Sequence, residues 1–407
     1  MNRSLKALVG LGLFAGLAAL VSIPSRTLAC PFCTMQGQTL TGEINQASLV
    51  LFGTLKNARL SNNPAEAEGF TDLEIESVIK DNPILEQKKT ITLRRYLPQD
   101  SKKPYKYLVF CDVFEKKIDP YRGVAFDVKT DVSGYLKGAS AIAKESVSKR
   151  LEFYFNYLDS QDLEVSNDAY KEFGNADYKD FQVMAAKLPA AKVSGWIKDE
   201  KTPAFRLGLY ASMLGHCGKA SDAPVLKAII DDSEKRQLGS LDGILASYTM
   251  LSPKDGWTLI SEYMKDEKKD FMLRWGALRA VRFFFDYRPD IISKDQVKTA
   301  LMPLISQGDI ADLAVEDLRK WKAWDLTPKV LGIKTTDAYK VAIVRRSVLR
   351  FAISASTSNA QAKEFVETVE KENPEGVKDA KELLKLEEAP PKPVTPPVKP
   401  MNLPSKP

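Results

Sequence analysis

Two hydrophobic periods share this chain, and the point where one replaces the other restricts its fold more than any other feature. From Ser48 to about Thr130 apolar residues alternate with polar ones, the spacing that puts successive side chains on opposite faces of a sheet. Five strands are predicted, Leu49 to Leu60, Phe70 to Ile79, Thr90 to Tyr96, Tyr107 to Glu115 and Gly123 to Val128, separated by turn-rich stretches such as Lys80-Asp81-Asn82-Pro83. In the fourth, Tyr107, Val109, Cys111 and Val113 share one face and Leu108, Phe110 and Phe114 the other, so both faces are expected to be covered. Gly53 interrupts the long first strand, where a glycine permits the sharp coiling by which one strand serves both sides of a small barrel. Five strands with a bent first strand predict an OB-like barrel.

Beyond Lys137 helical periodicity takes over. From Phe205 onward the predicted helices recur as pairs, beginning with Phe205 to Leu214 and Ala223 to Ile230, and ending with Tyr339 to Ala352 and Ala360 to Val369. Small residues fall at Ala211, Ala246, Ala280, Ala314 and Ser347, a recurrence of about 33–35 residues. One helix pair cannot bury its apolar face alone, so such pairs stack and share a core. The expected fold is multidomain: a small all-β OB-like barrel followed by an all-α HEAT-like solenoid. The boundaries read as a leader over 1–29, the barrel over 30–130, a connector over 131–145, helical repeats over 146–388 and a Pro-rich tail over 389–407. The last eighteen residues carry eight prolines, a composition that favours extended chain and forms no core, and read as a tether.

The leader has an export pattern: Arg3 and Lys6 at its start, an apolar run from Ala7 to Ile23, and Thr27-Leu28-Ala29 before an expected cut at Cys30. No later segment is apolar enough to cross a membrane, so an exported protein without a span after signal removal is expected. The formal charge of +6 resides in Arg3, Lys6, Arg26, Lys392, Lys399 and Lys406, at the two ends, and the remainder balances to zero. A near-neutral body offers no electrostatic footprint for nucleic acid.

A single histidine, His216, excludes HExxH and two-histidine metal centres. It stands at a helix end beside Cys217, where the helix dipole favours it. Cys30-Pro31-Phe32-Cys33 is the strongest chemical motif, since such a pair is a redox dithiol, half a zinc site or a structural bridge. No strand precedes it, as a thioredoxin-type pair requires, and Thr34 stands where haem attachment needs histidine. Export favours disulfides, and a bridge from Cys30 or Cys33 to Cys111 is expected. Phe285, Tyr287, Trp321 and Trp324 form the candidate binding surface, because exposed rings at helix ends give large contact area at low entropic cost. Packing between repeats is the other reading of the same rings. No catalytic residue, metal ligand or cofactor is assigned.

Cys30, followed by a barrel opening on Ala47-Ser48-Leu49-Val50-Leu51-Phe52-Gly53-Thr54, resembles the netrin-like module of tissue inhibitors of metalloproteinases and complement proteins over roughly Cys30 to Lys129. In the inhibitors the first cysteine's amine and carbonyl chelate the target's zinc, so the resemblance implies that role for Cys30, although this chain has CxxC where they have CxC. The whole order, including Gly37-Gln38-Thr39-Leu40-Thr41-Gly42-Glu43, is similar to a group of exported proteins of planctomycete-type bacteria, which implies the architecture and no activity. The function expected is a non-catalytic envelope scaffold that binds a protein partner. The alternatives are a thiol-redox or metal-handling protein and a netrin-like protease inhibitor.

Overall fold

The fold is that of a computed structural model, which describes residues 32, 35–63, 68–99, 102, 104–232, 234 and 240–388. Five antiparallel strands form its sheet: β1 (Leu49–Leu60), β2 (Gly69–Lys80), β3 (Thr90–Leu93), β4 (Tyr105–Phe114) and β5 (Lys117–Asp127). Their order is β3-β2-β1-β4-β5, with β1 at the centre and β3 and β5 at the edges. The sheet is thus open among the described residues. Alternation works as the spacing predicts. Val50, Phe52, Leu108, Phe110 and Phe126 face the helices, while Leu49, Leu51, Leu73, Val109 and Cys111 face a smaller core closed by Leu85 and Ile91. At Gly53 the β1–β2 register shifts, and a Cβ there would lie 2.0 Å from the Glu74 carbonyl oxygen, so only glycine admits this close approach.

A short helix α1 (Leu40–Gln46) precedes the sheet. After the sheet come α2 (Val132–Ala141), α3 (Val147–Phe155), α4 (Leu163–Asn175), α5 (Tyr178–Ala185) and α6 (Ala190–Lys198). The paired array follows as α7 (Leu207–Cys217), α8 (Ala223–Asp231), α9 (Leu241–Leu251), α10 (Pro253–Lys265), α11 (Phe271–Tyr287) and α12 (Lys294–Ala300). It ends with α13 (Ala311–Lys320), α14 (Thr327–Gly332), α15 (Ala342–Ala355), α16 (Ala360–Glu372) and α17 (Pro374–Glu388). Helices α7, α9 and α11 pack in succession, as do α13 and α15. Ala211, Ala246, Ala280, Ala314 and Ser347 are all buried in that row, where a small side chain lets neighbouring helices approach. Ion pairs repeat along it: Arg279 to Asp242 at 2.6 Å, Arg282 to Asp317 at 2.7 Å and Arg350 to Glu316 at 3.3 Å.

One hydrophobic core runs from the helix-facing side of the sheet to Val377 and Ala380 of α17. The stretch expected as a connector, 131–145, contains α2, whose Tyr135 and Leu136 are fully buried in that core. Asp131 caps α2 by accepting from the Gly134 amide, and Ser146 caps α3 by accepting from the Lys149 amide. No helix among the described residues is long and apolar enough to cross a membrane.

Candidate functional site

Phe32 and Met35 to Thr39 lie against the helices outside helix and sheet, and α1 begins at Leu40. Phe32 is only 4 % exposed, its ring 4.8 Å from that of Phe283 on α11. Three glycines make room for this segment. A Cβ at Gly208 of α7 would come within 2.9 Å of the Phe32 carbonyl oxygen and closer still to Ser240; one at Gly243 of α9 would lie 3.0 Å from Phe32 Cγ; one at Gly174 of α4 would lie 2.2 Å from the Met35 carbonyl oxygen.

Polar contacts then hold the backbone. The Gly37 amide donates to Asn175 Oδ1 at 3.1 Å, and Asn175 Nδ2 donates to the Gly37 carbonyl at 2.8 Å, a two-point clasp that recognises peptide irrespective of side chain. Two turns earlier on α4, Asp168 accepts from the Leu40 amide at 2.6 Å and from the Tyr135 hydroxyl at 2.8 Å. Burial pushes the Asp168 carboxyl up to about 6, against the lowering effect of those two hydrogen bonds. Glu172, which accepts from Thr39, is raised by burial as well.

Beside Phe283 lies an aromatic cluster. Tyr178 contacts Phe283 at 5.3 Å and Tyr287 at 4.6 Å between ring centroids, and His216 packs edge-on against Tyr178 and Phe181. The His216 Nδ1–H donates to the Ser212 carbonyl at 2.7 Å, because a carbonyl can only accept. Nε2 then accepts from the Tyr178 hydroxyl at 2.8 Å, leaving neither nitrogen for chemistry. Burial pushes the pKa down to about 4, with Arg288 adding to the effect and the Ser212 carbonyl opposing it. Desolvation therefore outweighs the helix-end dipole that the sequence position suggests.

This histidine makes a pH prediction. Its folded pKa lies below the unfolded value of about 6.5, so its contribution to stability is complete above that pH and is lost as pH falls toward 4. His216→Gln is expected to lack this loss, so that wild type sheds about 2–3 kcal/mol more than the variant between pH 7.5 and 4.5. Urea midpoints for both proteins test it, and parallel pH profiles would rule it out.

The four rings of the expected binding surface are half-buried and divide into separate contacts. Phe285 stacks on Trp321 at 3.9 Å with Lys294 Nζ 4.7 Å from the Phe285 ring centre, Trp324 meets Phe351 edge-on at 5.2 Å, and Tyr287 belongs to the Tyr178 cluster. Packing between repeats accounts for these contacts. Cys30 and Cys33 lie outside the described residues. Cys111 carries a free thiol on the buried face of β4, in the small core away from the helices. Burial, with Asp119 and Asp112 nearby, pushes that thiol up to about 12, and burial pushes Cys217 up to about 11, so neither is a thiolate near neutrality. Among the described residues no group of three or more His, Cys, Asp and Glu side chains is placed to hold a metal ion.

Sequence reasoning missed the groove, although it left a trace: Gly174, Gly208 and Gly243 recur at 34 and 35 residues, in step with the buried alanines. No family model matches the chain, and no curated protein and no solved structure matches it.

Proposed function

We propose that this chain is an exported, non-catalytic scaffold of the cell envelope, in which the helical array holds a protein partner. The supporting observation is that the helices already hold the chain's own backbone at Gly37 and Leu40, by contacts from Asn175 and Asp168 of α4. A surface that reads peptide backbone suits protein binding and supplies no reacting group. The leader over 1–29 is read as the export signal and the tail over 389–407 as a spacer. The sheet is read as an OB-like module, because its bent β1 pairs on both sides, with β2 and β4.

The test is site-specific photo-crosslinking in cells of the source organism. Lys171 lies three residues after Asp168 and four before Asn175, which puts it on the groove-facing side of α4. A crosslinker there is expected to give one discrete adduct with an envelope protein, whereas one at Lys254 on the outer α10 gives none. Absence of any adduct at Lys171 across several growth conditions would remove the scaffold reading.

A further inference from the structure

We infer that the groove across α4, α7 and α9 is an exchangeable site for a peptide carrying an aromatic residue followed five positions later by glycine, occupied here in cis by Phe32 and by Met35 to Leu40. The inference rests on the scaffold reading and adds to it the chemistry of what is bound and the reason the site is covered.

Glycine is a poor residue for a helix, yet Gly174 stands in the last turn of α4 and Gly243 in the first turn of α9. The atoms nearest a Cβ at Gly174 are the Met35 oxygen at 2.2 Å, the Met35 carbonyl carbon at 3.3 Å and Gln36 Cγ at 3.4 Å. Those nearest a Cβ at Gly243 are Phe32 Cγ, Cβ and Cδ1, at 3.0 to 3.2 Å. The nearest atoms to both positions thus belong to Phe32, Met35 and Gln36. The Asn175 clasp is an independent sign of a ligand site, because it pairs both backbone groups of one residue as a neighbouring strand would.

Side-chain demands are few. A ring must fill the place of Phe32 beside Phe283, and the residue at the clasp must take the positive φ that Gly37 adopts, 122°, where side chains are strained. Met35 to Gln38 lie outside helix and sheet, so only the cap of α1, where Thr39 accepts from the Gly42 and Glu43 amides, is loosened when they leave. Another peptide with the same ring and glycine would meet the same contacts, and the chain's own copy, tethered next to the site, competes at high effective concentration.

The probe is a fluorescent synthetic peptide spanning residues 30–40 with Cys30→Ser and Cys33→Ser. Phe32→Ala in the intact chain is expected to raise its affinity at least tenfold over the unsubstituted chain by weakening the internal competitor. Adding Gly174→Ala to that variant is expected to lower the affinity at least tenfold, as is replacing the peptide's phenylalanine by alanine. Equal binding to the unsubstituted chain and to Phe32→Ala, or an unchanged affinity with Gly174→Ala, would overturn the inference.

Should Phe32→Ala fail to fold, hydrogen exchange on the unsubstituted chain decides instead. Excess peptide is expected to speed exchange of the Gly37 and Leu40 amides at least fivefold while leaving α11 unchanged, and no acceleration would overturn the inference. A silent peptide alongside a discrete crosslinked partner would sink only the exchangeable groove. A competent groove with no crosslinked partner would sink only the envelope scaffold.

Discussion

Replacing Asp168 by alanine is expected to cost about 3 kcal/mol or more, because it leaves two buried donors, the Leu40 amide and the Tyr135 hydroxyl, without their acceptor. Tyr135 is fully buried and Asp168 nearly so, which leaves little access for water to substitute. The loss would spread, since Leu40 begins α1, α1 packs on α2, and Lys80 of β2 donates to the last carbonyls of α1 at 2.8 and 3.1 Å. Asp168→Asn behaves differently. Its amide oxygen still accepts from Leu40, and the Tyr135 hydroxyl can turn to accept from its NH2 group.

The charge then sets a pH dependence. Burial raises the folded carboxyl to about 6, above its unfolded value near 4, so between those pH values the folded state holds a proton that the unfolded chain has lost. Stability from this group is complete below pH 4 and declines as pH rises through 6. Asp168→Asn removes that decline, so its stability relative to wild type should improve by up to about 3 kcal/mol between pH 4 and 7.5. The nearby Glu172 and Lys171 remain in both proteins, and the opposite slope from His216 cancels in the comparison. Urea denaturation of wild type and both variants at pH 4.5 and 7.5 checks this. An asparagine variant as damaged as the alanine one at both pH values would mean that Asp168 is no latch.

How much of this was readable beforehand depends on the kind of signal. The strand period located β1 and β2 almost to the residue, because each has one face in each core and alternation is the direct consequence. β5 was read six residues short, since Pro120 argues against a paired strand and the turn before it is Glu115-Lys116. Both residues adopt positive φ, 48° and 58°, in place of the glycine or asparagine that normally marks a two-residue hairpin. Pro120 is tolerated because β5 is an edge strand and the register shifts beside it.

The small-residue period exposes the array because tight packing at one point per repeat admits only a small side chain, alanine or, at position 347, serine. The groove was not legible in the same way. Its ligand is a segment of low hydrophobicity apart from Phe32, and its contacts from Asn175 and Asp168 are separated from that segment by more than a hundred residues of sequence. The aromatic residues at helix ends drew notice by composition, yet composition does not tell a ring stacked on its neighbour, as Phe285 is on Trp321, from a ring facing a partner.

The other large effect is expected at Arg274, where the array is least closely packed. Helices α11 and α13 approach less closely than α9 and α11, and long side chains bridge them: the Phe285–Trp321 stack and the Arg282–Asp317 ion pair. Arg274, almost wholly buried, completes that joint from the start of α11. Its Nη1 donates to Gln307 Oε1 and Asp309 Oδ1, both at 2.8 Å, and its Nε to the Lys269 carbonyl at 3.0 Å. Gln307 passes the connection on through its amide to the carbonyls of Met264 and Pro303 at 2.9 and 3.1 Å.

Arg274→Ala should therefore cost about 3 kcal/mol, because it leaves the buried Gln307 Oε1 and the Lys269 carbonyl without their donor, while the half-exposed Asp309 turns to water. Arg274→Lys should recover only part of it, because an ammonium cannot present the guanidinium's fork to Asp309 and Gln307 together. In a stack where stability is passed between neighbours, the damage should stay local. Hydrogen exchange in Arg274→Ala is expected to show amides of 304–313 losing protection while α7 and α9 keep theirs. Uniform loss along the whole array would mean that the single core behaves as one cooperative unit. A loss confined to 304–313 would mean that the half holding residues 32–40 stays folded when the far half opens, and that the groove depends on α4, α7 and α9 rather than on the array as a whole.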